Sequence, residues 1–155
     1  MTIEWTYHKI SELNLNNEFL INIHNVFLNA FGLENGWSLE GIKRKLQQSD
    51  LIGLLIDRQN IVGYGMFQFP DKLLLGKNIV WENSIAVKKE YQNKGFSNLL
   101  FRHIVNSNMQ IKWIGGRTQN PLIINRYAKF GCLFPFDNSY NSVNGKMIIE
   151  FCTKS

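Results

Sequence analysis

The stretch Ile85-Ala86-Val87-Lys88-Lys89-Glu90-Tyr91-Gln92-Asn93-Lys94-Gly95-Phe96-Ser97 constrains this chain more than any other. It opens with apolar residues that suit a strand and turns through polar residues around one glycine. It then enters a helical stripe of Phe96, Leu99, Leu100 and Ile104. A strand that feeds such a loop into a helix start presents unpaired backbone N–H groups at the positive end of a helix dipole. That is a physical site for a phosphate or pyrophosphate. Neither G-x-G-x-x-G nor G-x-x-x-x-G-K-[ST] occurs anywhere in the chain, so the two commonest nucleotide loops do not account for it.

The spacing of Gln92, Gly95 and Ser97 resembles the Q/R-x-x-G-x-G/A signature of the GNAT superfamily of N-acetyltransferases. A second motif lies downstream. Asn120 is a good helix N-cap, Pro121 suits a first helical position, and Gly131 suits the left-handed residue past a helix end. The run resembles that superfamily's N-x-x-A-x-x-x-Y-x-x-x-G-F, with Asn120, Tyr127 and Gly131 in register. Ile123 stands where a small residue is usual and Cys132 where Phe is usual. Each motif alone has an ordinary structural explanation, a strand-to-helix turn and a capped amphipathic helix. Their joint occurrence in the family's order is harder to obtain by accident.

Periodicity predicts the order strand, two helices, three strands, helix, strand, helix, two strands. The strands are expected over 3–10, 51–57, 61–69, 77–87, 111–114, 133–136 and 146–151. The helical regions are 11–31, ended by Gly32, then Ser38 to Gln48, 97–105, and the run after Asn120. Residues 58–60 make the turn between the second and third strands, and Gly115-Gly116 closes the fifth. The pattern has no repeat, linker or low-complexity segment, so one domain over 1–155 is expected. It resembles the GNAT fold from end to end. That resemblance implies an α+β, three-layer α/β/α architecture, with a mixed, mostly antiparallel sheet of about seven strands and four helices. It also implies that the two central strands splay to admit a pantetheine arm.

At 155 residues the chain is long enough for one core without disulfides or metal. No apolar run approaches the roughly 18 residues of a membrane span. Glu4, His8 and Glu12 interrupt the N-terminus, which predicts no secretory leader and a cytoplasmic protein. Cys132 and Cys152 lack C-x-x-C spacing, which argues against structural zinc and a disulfide framework and leaves no metal site expected. The net charge of +5 suits an anionic ligand, and Lys88, Lys89 and Lys94 stand around the proposed loop. Lys43-Arg44-Lys45 reads as a solvated helix face, and no nucleic-acid motif accompanies the charge.

The resemblance implies an N-acetyltransferase that uses acetyl-CoA on a primary amine by direct attack. The acceptor would be a small molecule or a peptide, and the protein a monomer or homodimer. Such chemistry needs an acceptor amine freed of its proton, since an unperturbed ammonium has a pKa of about 10. It also needs N–H donors for the developing oxyanion, and an acid for the departing thiolate. By resemblance, the backbone of Ile85, Ala86 and Val87 would hold pantetheine and the carbonyl. The amides of Gln92, Asn93, Lys94, Gly95, Phe96 and Ser97 would hold the pyrophosphate. Tyr127 would protonate the thiolate, and Asn120 would contact pantetheine or order a water. The family's usual glutamate base falls at Asn83, with Glu82 beside it on the opposite strand face unless a bulge intervenes. Glu82 as base is thus one option, and a water chain or an acceptor that arrives neutral is another. Glu34 and Trp37, between the first two helices, are candidates to attract and stack on a cationic amine. The missing glutamate also leaves open a non-catalytic acyl-CoA-binding module.

Overall fold

The structure is a computed structural model that describes residues 2–33, 37–69, 79–106, 113–118, 133–135, 141–143 and 146–154. Eight strands and three α-helices lie among them. In chain order these are β1 (Glu4–Lys9), α1 (Asn17–Phe31), α2 (Leu39–Gln48), β2 (Leu51–Asp57), β3 (Asn60–Gln68) and β4 (Ile79–Val87). There follow α3 (Phe96–Asn106), β5 (Trp113–Thr118), β6 (Leu133–Pro135), β7 (Asn141–Val143) and β8 (Lys146–Lys154). The chain forms two compact units, Met1–Gln68 with Asn83–Leu100, and Phe69–Glu82 with Phe101–Ser155.

In the first unit β1, β2 and β3 are successive antiparallel neighbours, and β4 follows β3 in the strand order. The β2–β3 turn holds two residues, with Asp57 paired to Asn60, and both Arg58 (φ 51) and Gln59 (φ 68) lie in the left-handed region. That is the backbone demanded by a tight hairpin whose twist matches its strands. The register shifts at Leu55/Ile56, where Ile56 pairs with Ile61 and Leu55 with Gly63. Val62 is the extra residue, so the bulge puts it on the same face as Leu55 and opposite Tyr64 and Met66, where unbroken alternation would have placed it with them.

The two faces of the sheet carry separate cores. On one face Ile52, Leu54, Tyr64, Met66 and Ala86 meet Leu20, Ile23, Val26 and Phe27 of α1 and Ile42 and Leu46 of α2. On the other, Leu55, Val62 and Val87 meet Trp5, Tyr91 and Phe96. The sequence of α1 predicts a stripe of Phe19, Ile23, Phe27 and Ala30 or Phe31. Ile23 and Phe27 are buried, Phe19 and Ala30 pack partly buried against the same core, Phe31 is exposed, and Leu20 and Val26 complete the buried face. The helix starts at Asn17 rather than Ser11, because the Asn16 side chain caps it by accepting from Phe19 N at 2.9 Å. Ser38 caps α2 in the same way, accepting from Gly41 N at 3.1 Å.

One detail of this unit seats α3. Gly53 and Gly65 face each other across β2 and β3. A Cβ on either would come within 2.8 Å or 2.5 Å of the Leu100 side-chain methyls. The paired glycines make a saddle for Leu100, which is fully buried. The start of α3, and the loop before it, are anchored from there.

In the second unit the start of β4 pairs in parallel with β5, from Ile79↔Trp113 to Trp81↔Gly115. The ladders of β5, β6 and β7 with β8 are antiparallel. The sheet is therefore mixed and mostly antiparallel, as expected for α+β. Two expectations need correction. β5 does not stop at Gly115-Gly116 but runs through both to Thr118, because β8 supplies partners along its whole length. Between the last two expected strands, where the sequence predicts only a polar loop, lies β7, which cross-strand pairing with β8 creates without an apolar pattern of its own. Pro135 is tolerated in β6 because that strand ends the strand order. The expected helix after Asn120 lies outside the described residues.

Candidate active site

The loop after β4 leads from the strand through a turn into α3, the local order its sequence suggested. A single 3₁₀ turn at Lys89–Tyr91 follows the strand, and the chain then takes positive φ at Asn93 (61) and at Gly95 (83), but not at Lys94 or Phe96. Alternation of hand along consecutive residues points successive N–H groups into one concavity, a backbone nest for an anion. Leu99 N donates to Gly95 O at 3.2 Å, so Gly95 stands at the cap position. The amides just after it begin α3, where N–H groups have no carbonyl behind them within the helix. A Cβ on Gly95 would meet nothing within 4 Å. The glycine is needed for its backbone conformation, not for space.

Side chains complete the loop. Gln92 Nε2 donates to Val87 O at 2.7 Å, so the signature glutamine folds back and ties the loop to its strand. Lys94 Nζ lies 5.9 Å from the centre of the Tyr91 ring. The Tyr91 hydroxyl donates to Asp57 Oδ2 at 2.6 Å. That bond, more than desolvation and the nearby Asp57 and Glu90 charges, raises the phenol above its ordinary value, while Arg58 opposes the rise. With Lys88, Lys89 and Lys94 around a backbone nest, the residues present fit a diphosphate. Ala86 and Val87 are buried with their side chains in opposite cores, and Ile85 is half-buried, so their side chains serve packing.

The remaining candidates divide. Asn83 Nδ2 donates to Ser49 Oγ at 3.0 Å and to Gln68 Oε1 at 3.3 Å, and Ser49 Oγ donates to Lys45 O at 2.8 Å. The carboxamide at the usual base position thus joins the end of α2 to the end of β3. Glu82 beside it is half-buried. Trp37 stacks on Phe27 with ring centres 5.2 Å apart and planes 8° apart, and Lys45 Nζ lies 5.1 Å from its ring centre. Its carbonyl faces His24 Nε2 at 2.8 Å. A groove of about 220 Å³ beside it is lined by Gly41, Arg44, Lys45 and Gln48. Trp37 is therefore already engaged by a cation and an aromatic ring of this chain. Glu34, Asn120 and Tyr127 lie outside the described residues. Sequence reasoning missed Trp5, Asn29, Asp57 and Ser49, whose bonds to the loop or to Asn83 cross long sequence separations and leave no local pattern.

The sequence profile described as the Acetyltransferase (GNAT) family matches residues 18–131. The chain belongs to the GNAT acetyltransferase family. A search among curated proteins finds no match. Among solved structures, the chain is similar to the ribosomal-protein-S18-alanine N-acetyltransferase from Escherichia coli, at TM-score 0.71 and 16% identity over 97% of this chain and 94% of that one. It is similar to an acyl-CoA N-acyltransferase from Pseudomonas aeruginosa, at TM-score 0.73 and 12% identity over 98% and 99%. A GNAT family acetyltransferase from Elizabethkingia anophelis with acetyl-CoA bound gives TM-score 0.64 and 17% identity over 97% and 98%. At these identities the likenesses establish the GNAT fold. Family membership supports acyl transfer from an acyl-CoA in general, with a CoA-type cofactor. No described helix is long and apolar enough to cross a membrane.

Proposed function

We propose that this GNAT protein is an N-acetyltransferase of one domain, cytoplasmic, that transfers acetyl from acetyl-CoA to a primary amine of a small molecule or peptide. The observation that carries the reading is the alternation of backbone hand at Asn93 and Gly95 immediately before α3. Acetyl-CoA, when bound, supplies the thioester whose acetyl group is transferred. The amides of residues 92–97 hold its diphosphate, with Lys88, Lys89 and Lys94 adding positive field. The backbone of residues 85–87 orients the pantetheine and offers N–H groups where negative charge develops on the carbonyl oxygen. Tyr127 gives its phenolic proton to the leaving sulfur, and Asn120 orients the arm. The amine attacks the carbonyl carbon directly, so the C–N bond forms as the C–S bond breaks, without an acyl-enzyme. Glu82, or a water, takes the amine's proton. Glu34 and Trp37 border the acceptor, though the cations on the Trp37 groove favour an acceptor that is not strongly cationic there.

A second reading, a module that binds acyl-CoA without turnover, is favoured by one observation. The Asn83 carboxamide is a donor tied to Ser49 and Gln68, in the place where many relatives carry a glutamate. Thiol release from acetyl-CoA across polyamines, amino acids, aminoglycosides and peptides separates the two. Turnover on an amine that falls at least tenfold in Tyr127→Phe supports the enzyme. Tight binding with no turnover on any acceptor supports the module. Calorimetry showing no heat with CoA overturns both.

A further inference from the structure

The diphosphate loop is solvent-exposed at Lys89, Glu90 and residues 92–95, and besides the packing of Tyr91 and Phe96 into the second core, hydrogen bonds from three separate elements reach it. Trp5 Nε1, on β1, donates to Phe96 O at 2.9 Å. Asn29 Oδ1, near the end of α1, accepts from Lys89 N at 2.8 Å across 60 residues of sequence. Asp57 Oδ2, at the end of β2, accepts from Tyr91 across 34 residues, and Tyr91 in turn lies beneath the Lys94 ammonium. Asn29 is exposed on its helix, and the bond to Lys89 is the work its side chain does there. Asp57 ends a hairpin strand that would pair equally well with a neutral residue.

We propose that Asn29 and Asp57 are positioning residues of the CoA loop, fixing its backbone before the ligand arrives. Asn29 holds the amide at the loop's entrance. Asp57, through Tyr91, holds the ring over which Lys94 is placed. The inference rests on the diphosphate reading of this loop. A loop ordered in advance spares the ligand the entropy of ordering it, so loss of a tether weakens binding without altering the bound geometry. KM for acetyl-CoA therefore rises while kcat at saturation holds.

The sign of the Asp57 effect is diagnostic. Removing a negative charge near an anion site would by itself tighten binding. Positioning predicts the reverse. Calorimetric titration of CoA into Asn29→Ala, Asp57→Ala and Tyr91→Phe should show Kd raised about fivefold to tenfold, the factor equivalent to one net hydrogen bond. Asn25→Ala, one turn earlier on the same helix, should match the wild type. In the double variant Asp57→Ala/Tyr91→Phe, Kd should rise no further than in the worse single variant, because both remove one contact. Should Asp57→Ala fail to fold, Tyr91→Phe carries the test, since it removes only the donor. Unchanged or tighter CoA binding in Asp57→Ala, or full additivity in the double variant, overturns the proposal while leaving the diphosphate reading intact. Absence of heat in the wild type overturns both.

Discussion

Two turns of the first unit make the same unusual backbone demand and put it to different ends. The hairpin between β2 and β3 places positive φ on adjacent residues, Arg58 and Gln59, and the loop before α3 places it on alternate ones, Asn93 and Gly95. Adjacent left-handed residues reverse the chain so that Asp57 meets Asn60, and the N–H groups beside the turn are taken up by the ladder. Alternate ones keep the chain moving forward and leave successive N–H groups facing one concavity. The hairpin tolerates arginine and glutamine because strand pairing imposes its geometry. The loop has no ladder and relies on a glycine, a folded-back glutamine and tethers from distant elements. The two turns are also physically joined, since Asp57 at the foot of the hairpin accepts from Tyr91 of the loop. A positive φ therefore implies no particular function until the fate of the neighbouring amides is known.

The largest expected effect tests whether the loop depends on its anchor. Leu100→Ala removes a buried side chain from the Gly53–Gly65 saddle and should cost about 2–5 kcal/mol in chemical denaturation. CoA affinity should fall with it. If stability drops while affinity holds, α3 does not position the loop, and the contrast between the turns becomes purely local.

Next comes a matched pair. Gly95→Ala introduces no clash but forces a Cβ into the left-handed region, at about 1–2 kcal/mol. We expect that strain to appear as CoA Kd raised about tenfold, the equivalent of 1.4 kcal/mol. Gln59→Gly relieves the same kind of strain in the hairpin and should raise the thermal midpoint slightly, leaving CoA affinity unchanged. Equal effects of both substitutions on CoA binding would erase the distinction between the two turns.

The smallest effect concerns the bond that joins the turns. Tyr91 is raised above 10 when folded, so its contribution to stability is complete below pH about 10 and fades as pH climbs past that value. Ultraviolet titration should show, besides Tyr7, which burial also raises, a late-titrating tyrosine that is absent in Tyr91→Phe and shifts down in Asp57→Asn. A wild-type tyrosine spectrum unaltered by Asp57→Asn would break the link between hairpin and loop.

Local chemistry made much of this legible. Ser38 and Gly32 punctuate helices by side chain or backbone freedom, whereas the pattern misses the Asn16 cap in favour of a start at Ser11, and the alternation in β1 needs only a sheet with a buried face. The Gln92–Gly95 spacing likewise reports a strand, a turn and a helix start within a few residues. Of Ala30 and Phe31, either of which could end the stripe of α1, Ala30 packs against the core and Phe31 is exposed, because helical periodicity locates a stripe but not its edge. The strand β7 was hidden because its pairing partner, rather than its composition, makes it a strand.

The order of the described elements apart from β7, the family and the strand–turn–helix form of the loop before α3 were decided by the chain's own pattern, since each depends on contacts between near neighbours. The tethers from Trp5, Asn29 and Asp57, the glycine saddle under Leu100 and the engagement of Asn83 by Ser49 were decided only by the tertiary structure. Each joins residues far apart in sequence, and a contact made by chain folding leaves no mark on the spacing of either partner.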